Sequence, residues 1–332
     1  MSELYPLKFV PILKDKVWGG NALATNYNKK AAKLPNIGES WELSGVQGNL
    51  SVVGNGFLAG NNIEELIEVY MGDITGDSIY EKFGNEFPLL IKFIDAREDL
   101  SVQVHPGDAM AKERHKAYGK TEMWYILESE DHACIYTGFK EGVTKEIFEM
   151  SLAKGTLPDL LNVEKAEKGD TFFTPAGRIH AIGAGTVLVE IQQTSDVTYR
   201  ISDWNRKNPG TEKRELHLDL AQKAIDLSET SKRGKIRYEA ELNKIQNLVS
   251  CEFFNTNLLH FNNMIKREYH FNDSFVIYIC IEGEFHIGWD GSSEKVLKGE
   301  TVLLPAMIKE VALVPTGDSK LLEVYINSEI TI

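Results

Sequence analysis

The chain has 332 residues, of which 42% are hydrophobic and 26% charged, a composition typical of a globular protein with two domains or one elaborated domain. Its formal net charge of −13 argues against nucleic acid or an anionic membrane surface as a partner. No apolar stretch approaches the ~20 residues that span a bilayer, and the N-terminus lacks the pattern of a secretion signal. We therefore expect a cytoplasmic protein with no membrane partner.

The predicted elements alternate between short strands and a few helices. Apolar spacing predicts a helix over residues 63–70, a short helix within 106–120, an inserted helix near 140–162, and a helix or a strand-to-helix passage over 212–227. Strands are predicted over 121–136, 169–175 and 186–202, and strands with turns follow from residue 239 onward. Many short strands separated by Gly and Pro turns indicate a mainly β protein of jelly-roll type.

A nine-residue motif occurs twice, as KGDTFFTPA over 168–176 and KGETVLLPA over 298–306. Each copy has the pattern of a Gly turn, a buried strand and a Pro turn. Aligning Tyr125 with Tyr278 in the preceding strands implies that the first copy carries an insertion of 23 residues. The repeat therefore predicts two related jelly-roll barrels, the first with a helical insertion.

The two halves differ in their histidines. At the position that corresponds to His180 the second copy has Glu310, and no Gln-x-His precedes its strand near 275–282. We therefore predict a catalytic metal-binding domain over residues 1–230, with an N-terminal extension and the helical insertion. Residues 231–332 are predicted to form a related C-terminal barrel domain without a metal site.

Four polar residues in the first half have the types and spacing of a metal site. In the run Leu100–Pro106, strand alternation places Gln103 and His105 on one face. Glu122 begins a β-rich run, and His180 follows a Pro-Gly turn. Two imidazoles, a carboxylate and an amide oxygen suit zinc or another first-row metal. Each histidine taken alone is more often an ordinary hydrogen-bonded side chain, and the set of four carries the metal hypothesis.

Several runs, taken in this order, resemble the type I mannose-6-phosphate isomerases of the short bacterial form, and the resemblance extends over the whole chain. The runs are VWGG (17–20), GESWE (38–42), LSVQVHP (100–106), GKTEMWY (119–125), PAGRIHA (175–181) and YRISDW (199–204). The resemblance implies a double-cupin fold, one zinc ion per chain, and interconversion of mannose 6-phosphate and fructose 6-phosphate. It also implies that Gln103, His105, Glu122 and His180 are the zinc ligands and that Arg200 is catalytic.

Aldose–ketose isomerisation moves a proton between C2 and C1 of the sugar, so the site needs a base and positive charge for the developing oxyanion. Arg200 is suited to stabilise the oxyanion. Lys120 shares the strand face of Glu122, and its pKa would be lowered beside zinc, so we consider it for proton transfer. A carboxylate or a zinc-bound water is an equal alternative as the base.

The phosphosugar substrate needs further binding groups. The sequence contains no glycine-rich phosphate loop, so Lys92 and Arg178 are the candidates for phosphate binding. Trp18 and Trp41 are candidates for a wall that stacks on the sugar, although aromatic packing beneath the N-terminal segment explains them equally well. A surface position explains any single Lys or Arg as well.

Two other classes of function share this pattern. A metal-dependent cupin with different chemistry, such as an iron dioxygenase, typically uses two histidines and one carboxylate, and the additional Gln103 and Arg200 disfavour it. A sugar-binding or regulatory protein on the same double barrel would not need the complete ligand set. The zinc isomerase is therefore the leading hypothesis.

Overall fold

The computed structural model describes residues 4–29, 34, 36–204, 206, 214–228 and 234–327. Within these residues the strands form four sheets, and the strand pairs of the sheets are antiparallel. The predicted mainly β fold class is confirmed. Each half of the chain supplies most strands of one larger and one smaller sheet, but β1 (Leu7–Lys8) joins a sheet of the C-terminal half and β13 (Lys235–Ile236) joins a sheet of the N-terminal half.

In the N-terminal half, a seven-stranded sheet faces a five-stranded one. The larger sheet, in chain order, contains β2 (Ile12–Gly20), β3 (Ile37–Ser44), β4 (Leu89–Ala96), β6 (Glu122–Ser129), β9 (Thr171–Thr174), β11 (Thr186–Gln193) and β13 (Lys235–Ile236). The smaller sheet contains β5 (Val102–Val104), β7 (Cys134–Phe139), β8 (Leu161–Lys165), β10 (His180–Ile182) and β12 (Tyr199–Ser202). Trp124 and Leu188 of the larger sheet pack with Ile135 and Ile182 of the smaller one.

In the C-terminal half, a six-stranded sheet faces a four-stranded one. The larger sheet contains β1 (Leu7–Lys8), β14 (Lys244–Ser250), β15 (Asn255–Phe261), β17 (Val276–Glu282), β20 (Thr301–Leu304) and β22 (Ser319–Tyr325). The smaller sheet contains β16 (Ile265–Glu268), β18 (Glu284–Trp289), β19 (Ser292–Leu297) and β21 (Glu310–Pro315). Phe285 and Leu313 pack against Tyr278 and Val302 between these sheets.

The two large sheets also pack against each other. Ile91, Met123 and Val189 of the seven-stranded sheet share one buried cluster with Ile277 and Leu322 of the six-stranded sheet. Burial of this apolar surface, at about 25 cal/mol per Å², binds the two halves into one body. The division of the chain at residue 230 stays a prediction.

The helices lie outside the sheets. They are α1 (Ala22–Asn26), α2 (Ile63–Tyr70), α3 (Gly72–Thr75), α4 (Asp77–Phe83), α5 (Asp108–His115), α6 (Lys145–Lys154), a 3₁₀ turn (Leu157–Leu160) and α7 (Leu218–Ala224). The predicted helices at 63–70, within 106–120 and near 140–162 are confirmed, as is a helix within 212–227, of which residues 212 and 213 lie outside the described part. Phe148 of α6 and Ala221 of α7 cover apolar residues of the five-stranded sheet.

Two predicted strands are each divided in the structure. The run 121–136 forms β6 and β7, because the polar residues Glu130–His132 turn the chain between them. The run 186–202 forms β11 and β12, because a loop over 194–198 separates them. This loop is functionally relevant, since Val197 and Thr198 lie beside the candidate site.

The predicted alignment of Tyr125 with Tyr278 is wrong by one residue. Trp124 lies opposite Phe172, and Tyr278 lies opposite Val302, the residue that matches Phe172 in the repeated motif. Tyr278 therefore corresponds to Trp124. One residue matters here because a shift of one reverses the face of every side chain in a strand.

Candidate metal centre and catalytic cavity

The predicted metal ligands come from both sheets of the N-terminal half. Gln103 is the central residue of β5 and is paired with His180 of β10 on one side and Arg200 of β12 on the other. His105 follows directly after β5, and Glu122 is the first residue of β6 in the facing sheet. The alternation of β5 and the packing of the two sheets thus bring residues from four separate segments together.

His105, Glu122 and His180 form a buried cluster in which the potential ligand atoms all lie within 4.8 Å of one another. Glu122 Oε1 is 3.1 Å from His180 Nε2, and Glu122 Oε2 is 3.5 Å from His105 Nε2. Glu122 Oε1 and His180 Nε2 are buried and make no hydrogen bond, and Glu122 Oε2 has the Lys120 amine as its partner at 2.8 Å. Since buried polar atoms are normally satisfied, this group of atoms fits the donor set of a divalent cation.

The outer nitrogens of both histidines orient the rings. Nδ1 of His105 lies 3.0 Å from the carbonyl oxygen of Val197, and Nδ1 of His180 lies 2.9 Å from that of Arg178. A carbonyl only accepts, so each Nδ1 carries the proton and each Nε2 presents a lone pair to the centre. Burial and the Lys120 ammonium lower the pKa of His105 to about 3, which keeps this ring in the neutral form that a metal needs.

Glu122 is ionised despite its burial. Burial alone would raise the pKa of this carboxyl, but the positive charge of the neighbouring Lys120 ammonium holds it well below its usual range. Lys120 Nζ lies 2.8 Å from Glu122 Oε2 and 3.1 Å from His105 Nε2. The ionised cluster therefore already has one cationic group, the Lys120 amine, in contact with it.

A cavity of about 260 Å³ lies on that side of the cluster. The predicted residues Trp18, Lys92, Gln103, Lys120 and Arg200 all line it, and so does Trp41. Lys120 separates the cavity from the histidines and Glu122 behind it. Gln103 lines the cavity and is paired with His180 on the neighbouring strand, so it lies next to the cluster for which it is the predicted fourth ligand.

Burial would lower the pKa of Lys120, but the carboxylates of Glu122 and Glu190 outweigh burial and raise it. The lowered pKa of Lys120 that the sequence predicts would therefore require a bound cation nearby, whose positive charge disfavours the ammonium form. The geometric part of the prediction holds, because the amine reaches both the cluster and the cavity. Lys120 lies just before β6 rather than within it.

A second amine faces the first across the cavity. Lys92 Nζ donates to Glu190 Oε1 at 2.8 Å and to Gln192 Oε1 at 2.7 Å, and it lies 5.2 Å from the centre of the Trp41 ring. Glu190 Oε2 accepts from Trp124 Nε1 at 2.9 Å. Because Glu190 holds Lys92 in an ion pair, this lysine is less suited to phosphate than the sequence analysis predicts.

Two guanidinium groups, Arg200 and Arg214, line the same cavity. Arg200 Nη1 donates to the backbone oxygen of Glu215 at 3.0 Å, whereas its buried Nε has no hydrogen-bond partner. Burial and the nearby charge of Arg214 lower the pKa of Arg200. Arg214 Nε donates to Asp203 Oδ2 at 2.8 Å. Arg200 and Arg214 thus place two positively charged groups on this wall, with Asp203 bonded to Arg214 and the carboxylates of Asp203 and Glu215 near Arg200.

One predicted substrate residue lies elsewhere. Arg178 does not line the cavity; its side chain is buried and Nη1 donates to the backbone oxygen of Phe173 at 2.7 Å. Its carbonyl oxygen instead orients His180. Sequence reasoning missed Glu190, Gln192 and Arg214, although a single charged residue within the apolar run TVLVEIQQ is a signal for Glu190.

The C-terminal half has a counterpart of the group formed by Lys92, Glu190 and Trp124. Asn257, Glu323 and Tyr278 are paired in the same register as Lys92, Glu190 and Trp124. There the carboxylate accepts from Asn257 Nδ2 at 2.8 Å, from Tyr269 Oη at 2.5 Å, and from Arg267 Nε and Nη2 at 2.8 and 2.9 Å. Among the described residues the clustering of potential metal ligands is confined to His105, Glu122 and His180.

Comparisons with known proteins match this geometry. The model of the phosphomannose isomerase type I catalytic domain matches residues 7–135, and that of the mannose-6-phosphate isomerase cupin domain matches residues 244–326. Mannose-6-phosphate isomerase ManA of Bacillus subtilis is 35% identical and is aligned over 93% of this chain and 95% of its own length. Mannose-6-phosphate isomerase of Streptococcus mutans is 32% identical, over 92% and 93%. The chain belongs to the type I mannose-6-phosphate isomerase family.

Solved structures agree with the family assignment. The crystal structure of mannose 6-phosphate isomerase from B. subtilis superposes with a TM-score of 0.86 at 30% identity, covering 97% of this chain and 99% of that one. A putative mannosephosphate isomerase from Archaeoglobus fulgidus has the same fold, with a TM-score of 0.76 at 22% identity over 98% and 100%. In the part of the isomerase chain that is described, no helix is both long and apolar enough to cross a membrane.

Proposed function

We propose that this chain interconverts D-mannose 6-phosphate and D-fructose 6-phosphate through a cis-enediol(ate), with one zinc ion per chain. The observation that carries the proposal is the buried cluster of His105, Glu122 and His180, placed against a cavity whose lining includes the amines of Lys92 and Lys120, the carboxylate of Glu190 and the guanidinium groups of Arg200 and Arg214. Family membership names the reaction class, and the cluster supplies the groups that the reaction needs.

His105, Glu122, His180 and Gln103 would hold the zinc ion. Both imidazoles are fixed with Nε2 toward the centre, and the carboxylate between them is ionised. Zinc accepts this N/O set, and a bound zinc ion supplies Lewis acidity that stabilises negative charge on the sugar oxygens. Of the four, Gln103 borders the cavity directly, so it is also in contact with the bound sugar.

The chain's own residues carry the proton transfers. The reaction removes the C2 proton of the aldose and protonates O1, which gives the enediol; the O2 proton then leaves while C1 gains one. We assign the proton transfer to Nζ of Lys120, the amine that touches the cluster and lines the cavity. The guanidinium of Arg200 remains protonated and stabilises the oxyanion of the intermediate.

Substrate binding uses the remaining walls. Trp18 and Trp41 are buried in the cavity wall and offer flat faces to the apolar side of a sugar ring. Arg214, beside Arg200, replaces Arg178 and Lys92 as the proposed partner of the phosphate, because a dianion is attracted to two neighbouring guanidiniums. A charged phosphosugar does not cross membranes unaided, so we also propose a cytoplasmic location.

The test is turnover of mannose 6-phosphate to fructose 6-phosphate by the purified chain as isolated, after chelation, and after zinc is restored. We expect activity to disappear with the metal and return with zinc. Folded, zinc-loaded protein without turnover would refute the isomerase. Binding of the sugar phosphate that persists without turnover and without metal would instead identify a sugar-binding protein.

A further inference from the structure

Two adjacent glutamines at the end of β11 contact the segments that carry the two cavity lysines. Gln192 is fully buried, and its side chain joins two parts of the site. Its Oε1 accepts from Lys92 Nζ at 2.7 Å, while its Nε2 donates to the backbone oxygens of Gln193 at 2.8 Å and Ser195 at 2.6 Å. One amide thus connects the Lys92 amine to the loop that follows β11.

That loop also orients a metal ligand. The carbonyl of Val197, two residues beyond Ser195, is the group that Nδ1 of His105 contacts. Thr198 of the same loop lines the cavity. The position of Lys92 and the position of the loop are therefore set by the same side chain, Gln192.

Gln193 points to the opposite face of the strand and binds the segment that carries the second lysine, Lys120. Its Oε1 accepts from the backbone nitrogen of Thr121 at 2.9 Å, and its own nitrogen donates to the Thr121 oxygen at 3.2 Å. Its Nε2 donates to Asp108 Oδ1 at 2.9 Å, and this oxygen also accepts from the nitrogen of Gly119 at 2.7 Å. The residues on both sides of Lys120 are held in this way.

We propose that Gln192 and Gln193 are positioning residues for the isomerase reaction, which hold the amines of Lys92 and Lys120 at fixed places on the cavity wall. This inference rests on the proposed function. An amide is suited to the task of Gln192 because it accepts from an ammonium with one atom and donates to carbonyls with the other. A carboxylate cannot donate when ionised, and an apolar side chain can do neither.

The experiment compares Gln192→Met, Gln192→Glu and Gln193→Met with the wild-type enzyme, and uses Gln246→Met as the control. Gln246 is a partly exposed glutamine of β14 whose side chain bonds only the backbone oxygen of its neighbour Asn247. For each zinc-loaded protein, kcat, KM, zinc content and the far-UV spectrum are measured.

We expect Gln192→Met and Gln193→Met to lower kcat by ~10–100-fold, the usual effect of removing an outer-shell partner, with KM changed by less than about threefold. Zinc content should stay at one per chain. Gln192→Glu keeps the acceptor for Lys92 and should recover at least half of the lost kcat on a logarithmic scale. A merely structural glutamine would lower the fraction of folded protein and leave kcat per folded, zinc-loaded chain unchanged.

Two failures are distinguishable. If the wild-type protein shows no zinc-dependent turnover, the proposed function itself is refuted. If the wild type is active and Gln192→Met keeps its kcat, or if Gln192→Glu is as impaired as Gln192→Met, the positioning role of Gln192 is refuted. A kcat for Gln193→Met equal to that of the wild type refutes the role of Gln193.

Discussion

The ion pair of Arg267 with Glu323 is the place where the structural role of the C-terminal half can be tested quantitatively. Glu323 has no exposed surface, and Arg267 supplies two of its four hydrogen bonds. Replacement of Arg267 by Met leaves the carboxylate buried with Tyr269 and Asn257 as its remaining donors. Burial and the neighbouring Tyr278 and Glu323 raise the pKa of Tyr269, so it remains a neutral hydroxyl and cannot balance the charge.

Removal of one partner from a buried ion pair typically costs ~3–5 kcal/mol. We expect the lower end, about 3 kcal/mol, because the Arg267 side chain is 17% exposed and two donors to Glu323 remain. At about 2.1 cal/mol/K per residue, the unfolding entropy of the 332-residue chain is about 0.7 kcal/mol/K, so the melting temperature should fall by about 4 °C. The second replacement Glu323→Gln removes the unbalanced charge and should restore about half of the loss.

The assay is thermal denaturation of the wild type, both single variants and the double variant, with Arg237→Met as a control for an exposed arginine. Turnover per folded chain at low temperature should be unchanged, since neither Arg267 nor Glu323 lines the catalytic cavity. A loss below about 1 kcal/mol for Arg267→Met would contradict the reasoning, because that is the value of an exposed pair. Additive losses in the double variant would contradict it as well.

Three further changes test separate parts of the structure. Glu122→Gln should weaken zinc binding by more than ~100-fold, since even partners outside the ligand shell change affinity 10–100-fold; unchanged zinc content after dialysis would place the metal elsewhere. Lys120→Met should lower kcat by at least ~100-fold with zinc retained, whereas Lys112→Met on the exposed face of α5 should not; near-normal turnover of the first variant would exclude the lysine from proton transfer. Asn62→Ala should lower the free energy of unfolding by ~1 kcal/mol without affecting kcat, because the Asn62 side chain caps α2; an unchanged denaturation midpoint would show that the cap is not stabilising.

Local patterns made much of the site predictable. The alternation of β5 places Gln103 on the cavity side, and the turn after Pro175 leads into β10 with His180 at its start. These are short-range consequences of strand geometry, so one sequence is enough to read them. The helices α2, α5 and α6 were predictable for the same reason, since each is defined by spacing within about three turns.

Two of the groups that sequence reasoning missed, Glu190 and Gln192, reach Lys92 of the cavity wall through long-range strand pairing. Lys92 and Glu190 are separated by 98 residues and meet only because β4 and β11 pair in one particular register. Arg178 shows the converse error, since its place in a ligand motif suggests contact with substrate, whereas its side chain contacts Phe173 and its carbonyl orients His180. Sequence position therefore predicted which residues form the buried cluster but not the direction of the side chains around it.

The strand registers of the two halves place a buried glutamate at the same position, next to a cavity in the N-terminal half and fully enclosed in the C-terminal half. In both halves a buried glutamate lies opposite an aromatic residue, Trp124 for Glu190 and Tyr278 for Glu323. Glu190 is balanced by a lysine that still lines a cavity, whereas Glu323 is enclosed by an arginine fork and a tyrosine. The same carboxylate position can therefore hold an amine toward substrate or hold two sheets together. The two halves differ in the cationic residue that pairs with this carboxylate, a lysine in the first and an arginine in the second. They also differ at Val276, which occupies the position of the cluster carboxylate Glu122 in the first half.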